Sequence, residues 1–327
     1  MGRGALLGTG VLAATALAAA LAAATVIAGS DGDPRPPPPA GDAVTVGLWG
    51  DIPYTADDAV RLNRTIDAMN AAQLDFSVFN GDFKGGGPCE DRVYTQAVDR
   101  FNRLDAPVVY VPGDNEWTDC RDQGRNVSRE RLDHLRQVMF AGPDSFGRRT
   151  MALEHQGPGP EGGDYPENTR WQAGNVVFVG VHVVGSNNNR FDAEEFAPRD
   201  AAARDWLHDS FELAHRLGAA GVMVVIQADP GFDLVTPADR AYQGVDGTDS
   251  FVAALRDETL RFARPVALVH GDGHRYRLDR PLLEPSGAPV PNLVRVETFG
   301  TPDVSWVQAT VDARDPQVFR FETRFVR

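Results

Sequence analysis

The chain has 327 residues, 42% of them hydrophobic and 24% charged. These proportions exclude a disordered chain, a collagen-like repeat and a polytopic membrane protein. The 32 basic and 46 acidic side chains leave a formal charge of −14, which excludes nucleic acid as a partner because no basic patch offsets it. Lys84 is the only lysine, so the basic complement is almost all arginine.

Residues 1–28 read as a signal peptide or membrane anchor. Ala5 to Ala28 is nearly unbroken Ala, Leu, Val, Thr and Gly after the single charge at Arg3. The Val26-Ile27-Ala28 triplet favours cleavage after Ala28, and the run is also long enough to span a bilayer if it is retained. Residues 29–42, with Pro34 and Pro36 to Pro39, form a stiff Pro-rich linker. The folded domain is expected over 43–327, outside the cytoplasm, secreted or membrane-anchored, as a monomer. In that oxidising setting Cys89 and Cys120, on neighbouring loops, are expected to form a disulfide.

Four apolar runs end alike: Val44 to Trp49 before Gly50-Asp51, Phe76 to Phe79 before Asn80-Gly81-Asp82, Val108 to Val111 before Pro112-Gly113-Asp114, and Val266 to Val269 before His270-Gly271-Asp272. Such short β-branched runs read as buried strands. Helical periodicity lies between them at 56–72, 91–104, 129–140 and 199–217, giving the alternation of an α/β sheet. Further strands are expected at 176–184, 222–226, 293–299, 304–311 and 318–325. The last three leave no room for helices and read as antiparallel hairpins, added to the first layer or packed on it as a second sheet.

Each Gly-Asp pair falls at the carboxyl end of a strand, where ligands bind in open α/β sheets. A single pair is an ordinary turn; four, each closing an apolar run, point to a shared site. Carboxylates gathered in a small volume repel one another unless a cation sits among them.

These motifs resemble the calcineurin-like metallophosphoesterases, whose two-metal sites are built from Asp-x-His, Gly-Asp-x-x-Asp, Gly-Asn-His-Asp/Glu, a lone His and Gly-His-x-His. The resemblance covers most of 43–325 and implies a layered β-sheet sandwich flanked by helices, with C-terminal antiparallel strands. Asp51, Asp82, Glu116 and His274 match family positions. Pro53 replaces the first histidine, Asp114-Asn115 replaces Asn-His, Gln227 or Asp229 replaces the lone His, and Asp272 replaces the first histidine of the last motif. The strings Gly113 to Trp117 and Gly271 to His274 resemble a divergent exported branch.

The implied metal ligands are Asp51, Asp82, Asp114 or Asn115, Gln227 or Asp229, Asp272 and His274. This oxygen-rich set suits Mg²⁺, Mn²⁺ or Ca²⁺, with one retained ion because the missing histidines fall mostly at one metal position. His274, or Asn115 and Glu116, would orient the water or leaving group, although an amide at 115 cannot supply a proton. Lys84, Asn187 and Asn188 are candidate substrate contacts. The implied activity is metal-dependent hydrolysis of a small phosphate ester or related anion. The other reading is a non-catalytic binding protein that kept the fold.

Overall fold

The computed structural model describes residues 1–2, 43–87, 89–123, 125–234 and 236–326. The expected export segment and Pro-rich linker lie outside the described residues from position 3 to 42. Among the described residues no helix is long and apolar enough to cross a membrane.

The first half of the domain runs β1 (Val44–Trp49), α1 (Ala56–Ala71), β2 (Phe76–Phe79), α2 (Asp91–Phe101), β3 (Val108–Tyr110), α3 (Arg125–Met139), β4 (Glu154–Pro158), β5 (Asp164–Ala173) and β6 (Val176–Gly180). It continues with the short turn α4 (Gly185–Asn188), then α5 (Ala193–Leu217), β7 (Gly221–Val225), α6 (Pro237–Gln243), α7 (Asp249–Phe262), β8 (Val266–His270), β9 (Arg277–Asp279), β10 (Leu293–Glu297), β11 (Trp306–Val311) and β12 (Phe319–Arg324).

These strands make two mixed sheets, one of order β12-β11-β1-β2-β3 and one of order β4-β5-β6-β7-β8-β10-β9. The parallel sets β1-β2-β3 and β6-β7-β8-β10 carry the site. Alternation along each strand explains the layering, because successive side chains face opposite sides of a sheet and both sides are covered. Leu48, Val78 and Val109 pack with Phe178, Met223, Ala267 and Val296 in the core between the sheets. Val222, Val224 and Leu268 point the other way, onto Leu207, Phe211 and Leu255 of α5 and α7. Trp49, Phe79 and Tyr110 likewise meet Ile66, Met69, Phe101 and Leu135 of α1 to α3.

The expected α/β sandwich with C-terminal antiparallel strands is present. Three readings need correction. The 293–299 run does not join the last two strands: β10 lies in the seven-stranded sheet, parallel to β8 on one side and antiparallel to β9 on the other. The 176–184 run stops being strand at Gly180, and the Val181 and Gln227 amides then bond Val225 O and Val183 O as the loop crosses toward β7. Helix α5 begins at Ala193 and runs through Pro198, a residue that ordinarily argues for a boundary. Buried Arg199 ties that region together, donating to Glu195, His182 O and Asn188.

Candidate metal centre

The loops leaving the carboxyl ends of β1, β2, β3, β7 and β8 converge between the two sheets. Backbone bonds fix their spacing: Asp51 N donates to Gly81 O at 2.9 Å, Gly271 N to Gln227 O at 3.0 Å and Thr301 N to Asp51 O at 3.0 Å. Asp51, Asp82, Asp272 and His274 all take left-handed φ values, between 52° and 70°. Such backbone is costly outside glycine and clusters at functional sites. The recurring glycines serve another purpose here. A Cβ on Gly113 would lie 2.0 Å from Asp82 Oδ1, and one on Gly271 would lie 2.2 Å from Asp51 Oδ2. The glycine of one motif therefore makes room for the aspartate of another.

The four aspartates are linked by short contacts. The Asp272 amide donates to both Asp51 carboxylate oxygens at 3.2 Å. Gln227 Nε2 donates to Asp114 Oδ1 at 3.0 Å and Asp272 Oδ1 at 3.3 Å. Asp82 accepts from Tyr54 Oη at 2.7 Å, Asn115 Nδ2 at 2.8 Å and the Asn115 amide at 3.1 Å. Ser186 Oγ donates to Asp114 Oδ2 at 2.8 Å. Every one of these partners is neutral. Among the described residues no Lys or Arg pairs with the four; the one imidazole beside them is His274, whose Nε2 lies 3.6 Å from Asp51 Oδ1.

The charge balance follows. Burial, then repulsion by Asp272, raises Asp51 well above the carboxylate range; burial, then Asp114, does the same to Asp82. Burial and the charge of Asp114 push Asp272 up to about 8. Burial and Asp119 push Asp114 to about 6. Hard oxygens with surplus negative charge fit a divalent cation in donor type and in charge. The histidine fits too: His274 Nδ1 lies 2.8 Å from Thr301 O, which can only accept, so Nδ1 carries a proton and Nε2 is the ring nitrogen turned toward Asp51. As a shell the set is not preassembled. No group of three or more His, Cys, Asp or Glu is placed to hold a metal ion among the described residues, and the Gln227 amide stands between Asp114 and Asp272.

The other expected residues have varied placements. Gln227 is at the centre, but Gly185 N donates to its Oε1 at 2.6 Å, so it presents its NH₂ to the carboxylates instead of an oxygen. Asp229 bonds Arg277 at 2.6 Å and caps Gly231 N, so its charge is answered by the chain. Buried Glu116, pushed to about 7 by burial, accepts from Phe83 N at 2.5 Å and Gly113 N at 2.9 Å, bracing the two loops from behind. Lys84 Nζ reaches Asn115 O at 2.6 Å and Gly85 O at 2.8 Å, beside the centre without pairing to it. Asn187 and Asn188 are not brought to the carboxylates. Their amides bond Asp246, Gly247 and Val184, holding α4 to the 246–248 turn.

Tyr54 and Ser186 were missed by sequence reasoning. Tyr54 is three residues beyond Asp51 and Ser186 belongs to a turn with left-handed backbone; neither sits in a periodic or motif position. The Cys89–Cys120 disulfide is formed, with Cα atoms 6.1 Å apart, and joins the loop after Lys84 to the turn after Glu116.

Several solved structures resemble this chain. The anchor of the inner membrane complex of Plasmodium is 12% identical, with 87% of this chain and 89% of that chain covered and a TM-score of 0.49. A dimetal phosphatase from Danio rerio is 13% identical over 88% of this chain and 100% of that chain, at a TM-score of 0.48. A 5'-nucleotidase from Candida albicans is 10% identical over 86% and 52%, at 0.44. No protein-family model and no curated protein matches the sequence.

Proposed function

We propose that the chain is an exported, divalent-metal-dependent hydrolase of small phosphate esters, a divergent calcineurin-like metallophosphoesterase acting as a monomer. The observation that carries this reading is the set of four buried aspartates from four strand ends, linked by neutral donors and, among the described residues, paired to no Lys or Arg. Asp51, Asp82, Asp114, Asp272 and His274 would hold one Mg²⁺, Mn²⁺ or Ca²⁺. A bound ion there supplies Lewis acidity to a phosphoryl oxygen and lowers the pKa of a water.

The protein's own groups do the rest. Thr301 O fixes the His274 ring. Tyr54 and Asn115 hold Asp82 in position through its Oδ2. Asn115 offers no proton to a departing alkoxide, so esters with acidic leaving groups, such as aryl phosphates, are the favoured class. The 1–28 segment supplies export, by cleavage or as an anchor, and the disulfide is in keeping with an oxidising compartment.

A second reading, a metal-free or non-catalytic binding protein, is favoured by the Gln227 NH₂ standing between Asp114 and Asp272. Elemental analysis of the purified protein together with an aryl phosphate assay separates the two. We expect bound divalent metal, hydrolysis abolished by chelator, and a loss of at least ~100-fold in Asp82→Asn. Equal rates in the parent and Asp82→Asn overturn the enzymatic reading.

A further inference from the structure

A cavity of about 510 Å³ opens beside the carboxylate centre and shares Tyr54 and Lys84 with it. Tyr54 faces the centre through its hydroxyl on Asp82, and Lys84 through Nζ on Asn115 O. The opposite wall is helix α2, which contributes Arg92, Gln96 and Arg100. Their spacing of four puts three long nitrogen donors in a row on one helix face.

The charge of the lining is opposite to that of the protein. Lys84, Arg92 and Arg100 face one acid, Glu90, on a chain of net charge −14. Glu90 is engaged by Arg92. Arg100 is half-buried, and no hydrogen bond or ion pair engages its side chain among the described residues. Burial and then the nearby charge of Arg103 lower its pKa, and the charge of neighbouring Asp99 offsets them only in part. A guanidinium kept partly out of water with no acid hydrogen-bonded to it lacks the partner that usually balances it.

We infer that this cavity is the subsite for a second anionic group, phosphate or carboxylate, on the leaving-group side of the substrate. Resting on the hydrolase reading above, this narrows the substrate class to phosphate esters bearing a remote oxyanion. The phosphoryl group would meet the carboxylate centre while the remote oxyanion takes the Arg100 fork, a geometry suited to planar or tetrahedral oxyanions.

Two measurements test it. In the first, inorganic phosphate is titrated calorimetrically into the full chain in chelator, where the acidic centre repels anions, and compared with Arg100→Met and Arg100→Lys. Binding to the parent, at least ~10-fold weaker in Arg100→Met and partly restored in Arg100→Lys, is expected. Equal binding in the parent and Arg100→Met, or no binding to either, overturns the subsite. In the second, phenyl phosphate is compared with carboxyphenyl phosphate. The parent should prefer the carboxylated ester through KM, and Arg100→Met should bring that ratio close to one. A ratio near one in the parent overturns the subsite. If neither ester is hydrolysed, the hydrolase reading falls, and the phosphate titration alone still decides the cavity.

Discussion

Glu167 and Asp82 are both carboxylates removed from water, 0% and 2% exposed, and their surroundings are opposite. Glu167, on β5, accepts from Arg136 at 2.6 and 3.0 Å and contacts His182 Nδ1 at 2.9 Å. Burial pushes its pKa up, but Arg136 and His182 outweigh burial and bring it down to about 2. Among the described residues the Asp82 carboxylate is hydrogen-bonded by Tyr54 and Asn115 alone, and burial plus three other aspartates and Glu116 drive it up. A buried acid with its own arginine belongs to the framework. Buried acids grouped without one either keep their protons, as their raised pKa values favour, or ionise beside a cation from outside the chain. Burial alone therefore does not mark the site, whereas the missing counter-ion does.

The sharpest way to break this comparison is to neutralise both acids. Glu167→Gln leaves the Arg136 guanidinium against a neutral amide and is expected to cost about 3–5 kcal/mol in chemical denaturation, the usual penalty for removing half of a buried pair. Asp82→Asn in chelator removes a destabilised charge and is expected to leave stability equal to or above that of the parent. Equal destabilisation by both would abolish the distinction.

The pH dependence sharpens it further, because the two regions carry opposite signs. Glu167 lies below its unfolded value, so its contribution is present above the ordinary glutamate range and disappears as pH falls toward about 2. Asp114 and Asp272 lie above theirs. Without metal, their contribution is fullest below the ordinary aspartate range and is lost as pH rises through about 6 and then about 8. The melting temperature in chelator is expected to fall by at least about 2–4 °C between pH 5 and pH 8, and saturating Mg²⁺ or Mn²⁺ should flatten the decline by binding the ionised forms. A metal-free melting temperature that climbs over that range would show that the rim carboxylates are answered from within the chain.

Much of the rim was readable in the sequence because its signal is local. An apolar run closed by Gly-Asp states both a strand and its end, so Asp51, Asp82, Asp114 and Asp272 were found without any knowledge of which sheet each joins. The pairing of strands was less legible. Leu293–Glu297 has the same composition whether it pairs parallel or antiparallel, and it does both, with β8 and β9, after α7, a helix the periodicity reading passed over. Side-chain orientation was not legible at all. Gln227 was expected to offer an oxygen, but Gly185 N, brought in by the crossing after β6, turns its amide round. Asn187 and Asn188 looked like free amides at a strand end until the 246–248 turn claimed them. Tyr54 had no signature because its role arises only where the β1 loop meets those of β2 and β8.

The smallest expected effect comes from the glycines and tests whether the rim is gathered for a ligand or merely folded tightly. Gly271 has room for no side chain, since its Cβ would meet Asp51 Oδ2 at 2.2 Å, and its carboxylate neighbour accepts from the Asp272 amide at 3.2 Å, with His274 Nε2 at 3.6 Å. In Gly271→Ala the carboxylate must swing away, a local overpacking worth about 1–2 kcal/mol. If the rim were framework, that cost would appear in full as lost stability. If it serves a cation, displacing Asp51 also relieves repulsion with Asp272, so metal-free stability should change by less than that while the metal affinity, measured by calorimetry, falls by about tenfold. An undiminished affinity in Gly271→Ala would remove Asp51 from the ligand set.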